Sequence, residues 1–405
     1  AKFPQDPGAP EALLKAARVA HDVRGAGRYG IEVGPPIADL GRVRDYVRNA
    51  IATVYAAESP DVLRQRGIDL IEGHAEFTSA QAVSVGGRTL AGRRFLICAG
   101  ARPAVPPIPG LGDVPYMTYE QVFDNDWLPP HLLVLGAGPI GLELALAYRR
   151  LGADVTVLAQ DVMPGEESDV RTFVIGVLGA EDISLVLGSA QSVRRDGATI
   201  VVESTAGPLR GDMLLVATGR RPNGDRLAVE RAGVAISGSA VIVDRYLRTS
   251  QRRIFAAGDV TGGAQFTHYA AWQAFQATRN ALLPGSAAGV TDLVPRVTFL
   301  DPEVAHVGLG EAEARRRHGD HVRVHRNPMA TVDRAVADGD TKGFLTILTG
   351  KGDRLIGATA VAARAGELIA ELALAMRHKL TLADVAGTIH PYPTWATGLQ
   401  QLAAD

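Results

Sequence analysis

Apolar residues recur along this chain with two different periods, and the switches between them outline the fold. In residues 11–26, EALLKAARVAHDVRGA, they fall at helical spacing and predict a helix, and DLGRVRDYVRNAIATVYAAESPDVLRQRG predicts a longer one. IDLIEGHAEF, AVSVGG and FLICAGARP then read as short strands divided by turns. The apolar run Leu132–Leu135 is a buried strand that Gly136 ends, and the helical pattern LELALAYRRL and a second strand, VTVL, follow it. ISLVLGSAQSV, ATIVVES and DMLLVATGRRPN add further strands. From about Leu293 the character changes, with VPRVTFLDPEVAHVGL, GFLTILTG and RLIGATAV predicting antiparallel strands before the helix GELIAELALAMRHKL. That helix reads equally as a subunit contact or as the core helix of its own α+β unit. The predicted class is α/β, with a separate C-terminal α+β domain.

Within the mid-chain stretch, Gly136, Gly138 and Gly141 form G-x-G-x-x-G between strand and helix, with Pro139 and Ile140 inside the turn. The first glycine permits the tight turn and the second lets a pyrophosphate approach the backbone. The third lets helix and strand pack closely, with phosphates over the helix N-terminus. Placed between strand, helix and strand, the pattern predicts a dinucleotide site. An acid expected at the end of the second strand is absent: VTVL is followed by Ala159 and Gln160, with Asp161 one step on, and no arginine stands there for a 2′-phosphate. NAD and NADP therefore both stay open.

Composition narrows the class. The chain has 405 residues, 46% hydrophobic and 21% charged, with a net charge of −2. Such a balance predicts a globular protein of two or three domains and no surface that recruits nucleic acid or anionic lipid. The run from Arg315 to His318 reads as a solvated helix face. No run of 18 apolar residues predicts a membrane span, and the polar opening AKFPQDPGAP does not read as a signal peptide. The single cysteine, Cys98, allows no disulfide within the chain, so a cytoplasmic setting is expected, and no spacing predicts a metal site.

FLICAGARP and LLVATGRRP resemble each other, each an apolar strand ending in a glycine and R-P, which suggests two related nucleotide-binding units. ICAGARP, GAGPIGLELA, VATGRRPN, TSQRRIFAAGDV, TFLDPEVAHVGL and TIHPYPT, in this order, resemble the pyridine nucleotide–disulfide oxidoreductases, in particular the mercuric reductase and dihydrolipoamide dehydrogenase branch. The resemblance runs from about Glu11 to the C-terminus. It implies FAD in a first domain, NAD or NADP in a second, and homodimerisation through the last third. The expected divisions are 1–120 and 241–290 for the flavin domain, 121–240 for the nicotinamide domain and 291–405 for dimerisation. The resemblance places Asp259 on the flavin's ribityl chain, the alternative being a cap on the helix near Ala270. It puts Gly258, His268 and Ala270 beside the flavin, with His268 equally readable as a packed histidine, and adds Gly100, Gly219 and Ala75 as cofactor contacts.

The resemblance also marks departures. The family's opening βαβ unit and its redox-active cysteine pair have no counterpart, so the first domain is expected to be truncated. Glu11 stands where the family has a lysine that pairs with the glutamate matching Glu143, and two facing acids raise one pKa. The family's acid–base histidine and its glutamate fall at Tyr392 and Thr397, with His390 two residues away. Cys98 reads as a small buried residue of its strand. Two functions follow as expectations. One is an oxidoreductase passing hydride from NAD(P)H through flavin to a small non-disulfide acceptor, with Glu143 and Tyr392 at the chemistry. The other is a non-catalytic relative that binds dinucleotide and dimerises.

Overall fold

The computed structural model describes residues 9–404. Helix α1 (Ala9–Gly25) forms in the predicted place and buries Ala12, Leu13 and Ala17. The long helix expected next is instead two, α2 (Leu40–Tyr55) and α3 (Pro60–Gln65). They part at Ser59, whose backbone is extended because the ring of Pro60 disfavours a helical residue before it. The antiparallel strands β1 (Ala75–Ser79), β2 (Ala82–Val85) and β3 (Arg88–Ala91) follow, then β4 (Phe95–Ile97) and β5 (Ala101–Pro103).

The middle of the chain builds β6 (His131–Ala137), α4 (Pro139–Leu151), β7 (Asp154–Val162), α5 (Ser168–Ala180) and β8 (Ser184–Leu187). An antiparallel layer of β9 (Ala190–Asp196), β10 (Thr199–Ser204) and β11 (Gly207–Gly211) leads to β12 (Met213–Val216). The parallel sheet runs β12-β6-β7-β8. Leu132 and Val134 face α4 while Leu133 and Leu135 face Val193, Ile200 and Val202 of the antiparallel layer. Both faces are covered, which is why β6 reads as an unbroken apolar run.

The chain then returns to its first region. β13 (Arg220–Pro222) pairs with β5, β14 (Ile236–Ser237) with β15 (Ala240–Val241), and β16 (Ile254–Ala256) lies parallel to β4. Helix α6 (Thr267–Leu282) follows. The last unit comprises β17 (Arg296–Thr298), β18 (Glu303–Gly308), α7 (Glu311–His318), β19 (Arg323–Pro328), α8 (Asp333–Asp338), β20 (Phe344–Thr349), β21 (Leu355–Ala362), α9 (Ala365–Arg377), α10 (Leu382–Ala386) and α11 (Thr397–Ala404). Its antiparallel sheet runs β17-β18-β21-β20-β19. Leu368, Ile369 and Leu372 of α9 pack in the core of this unit, so that face of the helix serves its own domain.

The three regions are tied by charge. Arg150 of α4, its side chain 4% exposed, bonds Glu181 at 2.5 Å and Asp301 at 2.7 Å, and Arg18 of α1 reaches the same Asp301 at 2.5 Å. A buried guanidinium is tolerable when both carboxylates are in place.

Candidate functional site

β6 enters the glycine turn at Gly136, whose φ of 110° lies in the region that favours glycine. A methyl group on Gly136 would sit 2.4 Å from the Ala217 carbonyl oxygen, and one on Gly141 would sit 2.1 Å from the Gly136 oxygen. A methyl on Gly138 would meet nothing within 4 Å. The outer two glycines therefore let backbones touch, and the middle one faces open space. Gly138 is the N-cap of α4 and brings no side chain to cap it, and Pro139 takes the first helical position, where no N–H is required. The first-turn amides of a helix have no partner within it, so an anion is the natural occupant of this end. These residues, with Ile140 in the first turn, suit the pyrophosphate of a dinucleotide.

β7 continues to Val162 instead of stopping at Leu158. Ala159 is buried, and exposed Gln160 donates its side-chain amide to Ser189 Oγ at 2.7 Å. Asp161 accepts the Val162 N–H at 2.9 Å and is paired with Arg171 of α5. An arginine does stand near this strand end, then, brought from ten residues on by the return of α5.

Glu143 lies one turn into α4, half-buried, and accepts the Phe299 N–H at 2.7 Å. Burial raises its pKa to about 7; the Phe299 bond opposes the shift and the charge of Glu11 adds to it. The facing acid acts in the expected direction, but loss of solvent is the larger cause.

In the region the resemblance assigns to flavin, Asp259 is buried in the turn after β16, where Arg220 Nη2 holds its carboxylate at 2.5 Å. Asp259 does not cap α6, whose N-cap is Phe266 without a side-chain bond. Gly258 has φ of 76°, and a methyl there would press to 2.9 Å of the Ala270 side chain, so the glycine lets the turn approach α6. His268 is exposed, stacked on Phe266 with its Nε2 2.8 Å from the Pro295 oxygen. Gly100 and Gly219 precede β5 and β13, which run antiparallel, so they stand at opposite ends of one ribbon. Ala75 belongs to the β1–β3 sheet, which shares no strand with the others. Among the described residues the turn at Gly258 and the carboxylate of Asp259 suit the sugar-like part of FAD, and no second glycine turn of the Gly136 kind stands beside them.

Near the C-terminus, Tyr392 is exposed and its hydroxyl donates to Asp333 at 2.9 Å, which raises the phenol's pKa. Thr397 is buried and donates to the Thr394 oxygen at 2.6 Å, away from Tyr392. His390 has its Nε2 2.9 Å from Glu371 and its Nδ1 2.9 Å from the Thr388 oxygen, so both ring nitrogens are engaged. Cys98 is exposed, contrary to the expectation of a buried strand residue, and β4 ends at Ile97, one residue before it. Neighbouring groups still desolvate its thiol enough to raise the pKa.

The sequence reading missed four partners: Arg171, Arg220, Asp333 and Glu371. Arg220 lay within the quoted motif VATGRRPN. The others follow no local spacing, since each meets its partner through tertiary packing.

Two family models match, that of the pyridine nucleotide-disulphide oxidoreductases over residues 5–274 and that of their dimerisation domain over 294–403. A mercuric reductase of Acidithiobacillus ferrooxidans is 39% identical over 83% of this chain, and one of Staphylococcus aureus is 33% identical over 92%. The chain spans 63% of the length of the former and 70% of the latter. Among solved structures, the HOCl-induced flavoprotein disulfide reductase RclA of Escherichia coli is 27% identical with a TM-score of 0.88, covering 98% of this chain and 89% of its own. LpdA of Mycobacterium tuberculosis is 28% identical with a TM-score of 0.89, covering 99% and 90%. Members of this group use FAD and NAD(P)H. By motif order, fold and these matches, the chain belongs to the pyridine nucleotide-disulphide oxidoreductase family.

Proposed function

We propose that this protein is an FAD-dependent NAD(P)H oxidoreductase whose electron acceptor is not a disulfide. The observation that carries the acceptor side is that Cys98 is the single cysteine of these 405 residues, whereas exchange with a disulfide needs two thiols. Tyr392 stands where the family's acid–base histidine is expected, and a phenol is protonated at neutral pH, so bonded to Asp333 it serves as a hydrogen-bond donor and not as the base that thiol chemistry requires. On the donor side, Gly136, Gly138 and Gly141, with the N-terminus of α4, hold the dinucleotide phosphates. Gly219 and Glu143 are proposed to serve the same nucleotide, and Glu143, with a pKa of about 7, holds or releases a proton near neutral pH. Gly258, Asp259, His268, Ala270, Gly100 and Ala75 are proposed to line the flavin side, Arg220 fixing the Asp259 carboxylate. A bound flavin supplies the step between a two-electron donor and the acceptor, while the protein orients both. The last domain is proposed to join two copies, in keeping with its family match.

Visible absorption of the purified full chain, with FAD added where needed, tests this reading. A flavin band bleached by NADH or NADPH without air, then restored by a benzoquinone but not by oxidised glutathione, is expected. Restoration by the disulfide overturns the acceptor assignment. A protein that takes up no FAD, yet binds dinucleotide, supports the non-catalytic alternative.

A further inference from the structure

Leu135 pairs with Leu158, and the next partners are Ala137 and Val162, so β7 spends three residues where β6 spends one. Ala159, Gln160 and Asp161 form this bulge, at the strand end where a βαβ dinucleotide unit meets the adenosine ribose. We propose that this end selects NADH and refuses NADPH, with Gln160 reading the ribose and Asp161 occupying Arg171, the cation that α5 brings to the bulge. The inference rests on the dinucleotide reading of the Gly136–Gly141 turn.

Ala159 is buried and carries no polar group to contribute. Gln160 donates one of its two amide N–H bonds to Ser189 Oγ, which orients the side chain and leaves its carbonyl oxygen as an acceptor. An amide oxygen accepts a bond from a ribose hydroxyl, and a neutral amide brings no positive charge to offset that of a phosphate. The Arg171 guanidinium is already matched by the Asp161 carboxylate. A 2′-phosphate, carrying about −1.5 to −2 charges, would therefore compete with the Asp161 carboxylate for the one arginine that α5 brings to the bulge. The Asp161 and Arg171 side chains are 44% and 38% exposed, so their pairing adds little to stability and Asp161 can be altered without unfolding the domain.

Calorimetric titration of the full chain with NADH and NADPH at low ionic strength tests the inference, with thermal melts of each variant as the control for folding. The wild type is expected to bind NADH at least about tenfold more tightly, a difference of about 1.4 kcal/mol. Asp161→Asn is expected to improve NADPH binding about tenfold while NADH binding moves less than about threefold. Adding Arg171→Ala to that variant is expected to abolish the gain. Equal or tighter NADPH binding by the wild type overturns the inference, as does an Asp161→Asn variant with an unchanged preference. If a folded wild type binds neither nucleotide, the dinucleotide reading itself falls, and the inference with it.

Discussion

Around Gly136 four parallel strands stand side by side, whereas around Gly258 the described residues supply two, β4 and β16. The two regions also offer a ligand different materials. The Gly136 turn is a cradle of backbone, held by contacts between main-chain atoms that glycine alone permits. The Gly258 turn presents a side chain, Asp259, whose position depends on Arg220 from a strand 39 residues earlier (259 − 220). A cradle made of backbone is complete once its strand and helix have folded. A clasp made of a buried carboxylate holds only while a distant guanidinium neutralises it.

If that contrast is right, the largest loss should follow Gly141→Val. With the new Cβ 2.1 Å from the Gly136 oxygen, strand and helix must separate. The expected cost is about 4 kcal/mol in denaturant unfolding, with dinucleotide binding lost. In the other region Arg220→Ala leaves Asp259 buried and unpaired, at an expected cost of about 3 kcal/mol. Denaturant curves would register this, and calorimetry should find dinucleotide binding retained; its loss would show that the two regions are not independent.

Glu143 sharpens the comparison at the seam, because α4 packs there against α1 and its Glu11. Between pH 4.5 and about 7 the folded chain keeps a proton on Glu143 that the unfolded chain has released. Stability therefore falls as pH rises through that window. Glu143→Gln should flatten the slope and gain about 2 kcal/mol above pH 7 relative to the unmodified chain, measured by denaturation across pH. Equal slopes would mean that solvent reaches the carboxylate. The smallest effect is expected at Gly138→Ala. Its methyl enters open space, so the melting temperature should hold while dinucleotide affinity drops about tenfold.

The same division explains what could be read in advance. The glycine turn was legible because strand, turn and helix are consecutive and their periodicities differ. The antiparallel character of the last domain was legible for a similar reason. The break at Ser59–Pro60 was readable too, since a proline rule governs it, but continuous helical spacing on both sides masked it. Cys98 was misplaced because nothing local reveals that β4 stops at Ile97. Asp161 with Arg171, Asp259 with Arg220 and Tyr392 with Asp333 were illegible for one physical reason. Each couples charges or hydrogen-bonding groups across chain separations that only the folded packing closes.

The arginine buried at the end of α4 also constrains how the molecule can be taken apart. Asp301 belongs to the last domain, yet its two cationic neighbours, Arg18 and Arg150, come from the other regions. Excising that domain would strand an acid shorn of both counter-ions, and would leave Arg150 with half its complement. Dissection into autonomous pieces should therefore begin by replacing this knot with uncharged residues of matching bulk.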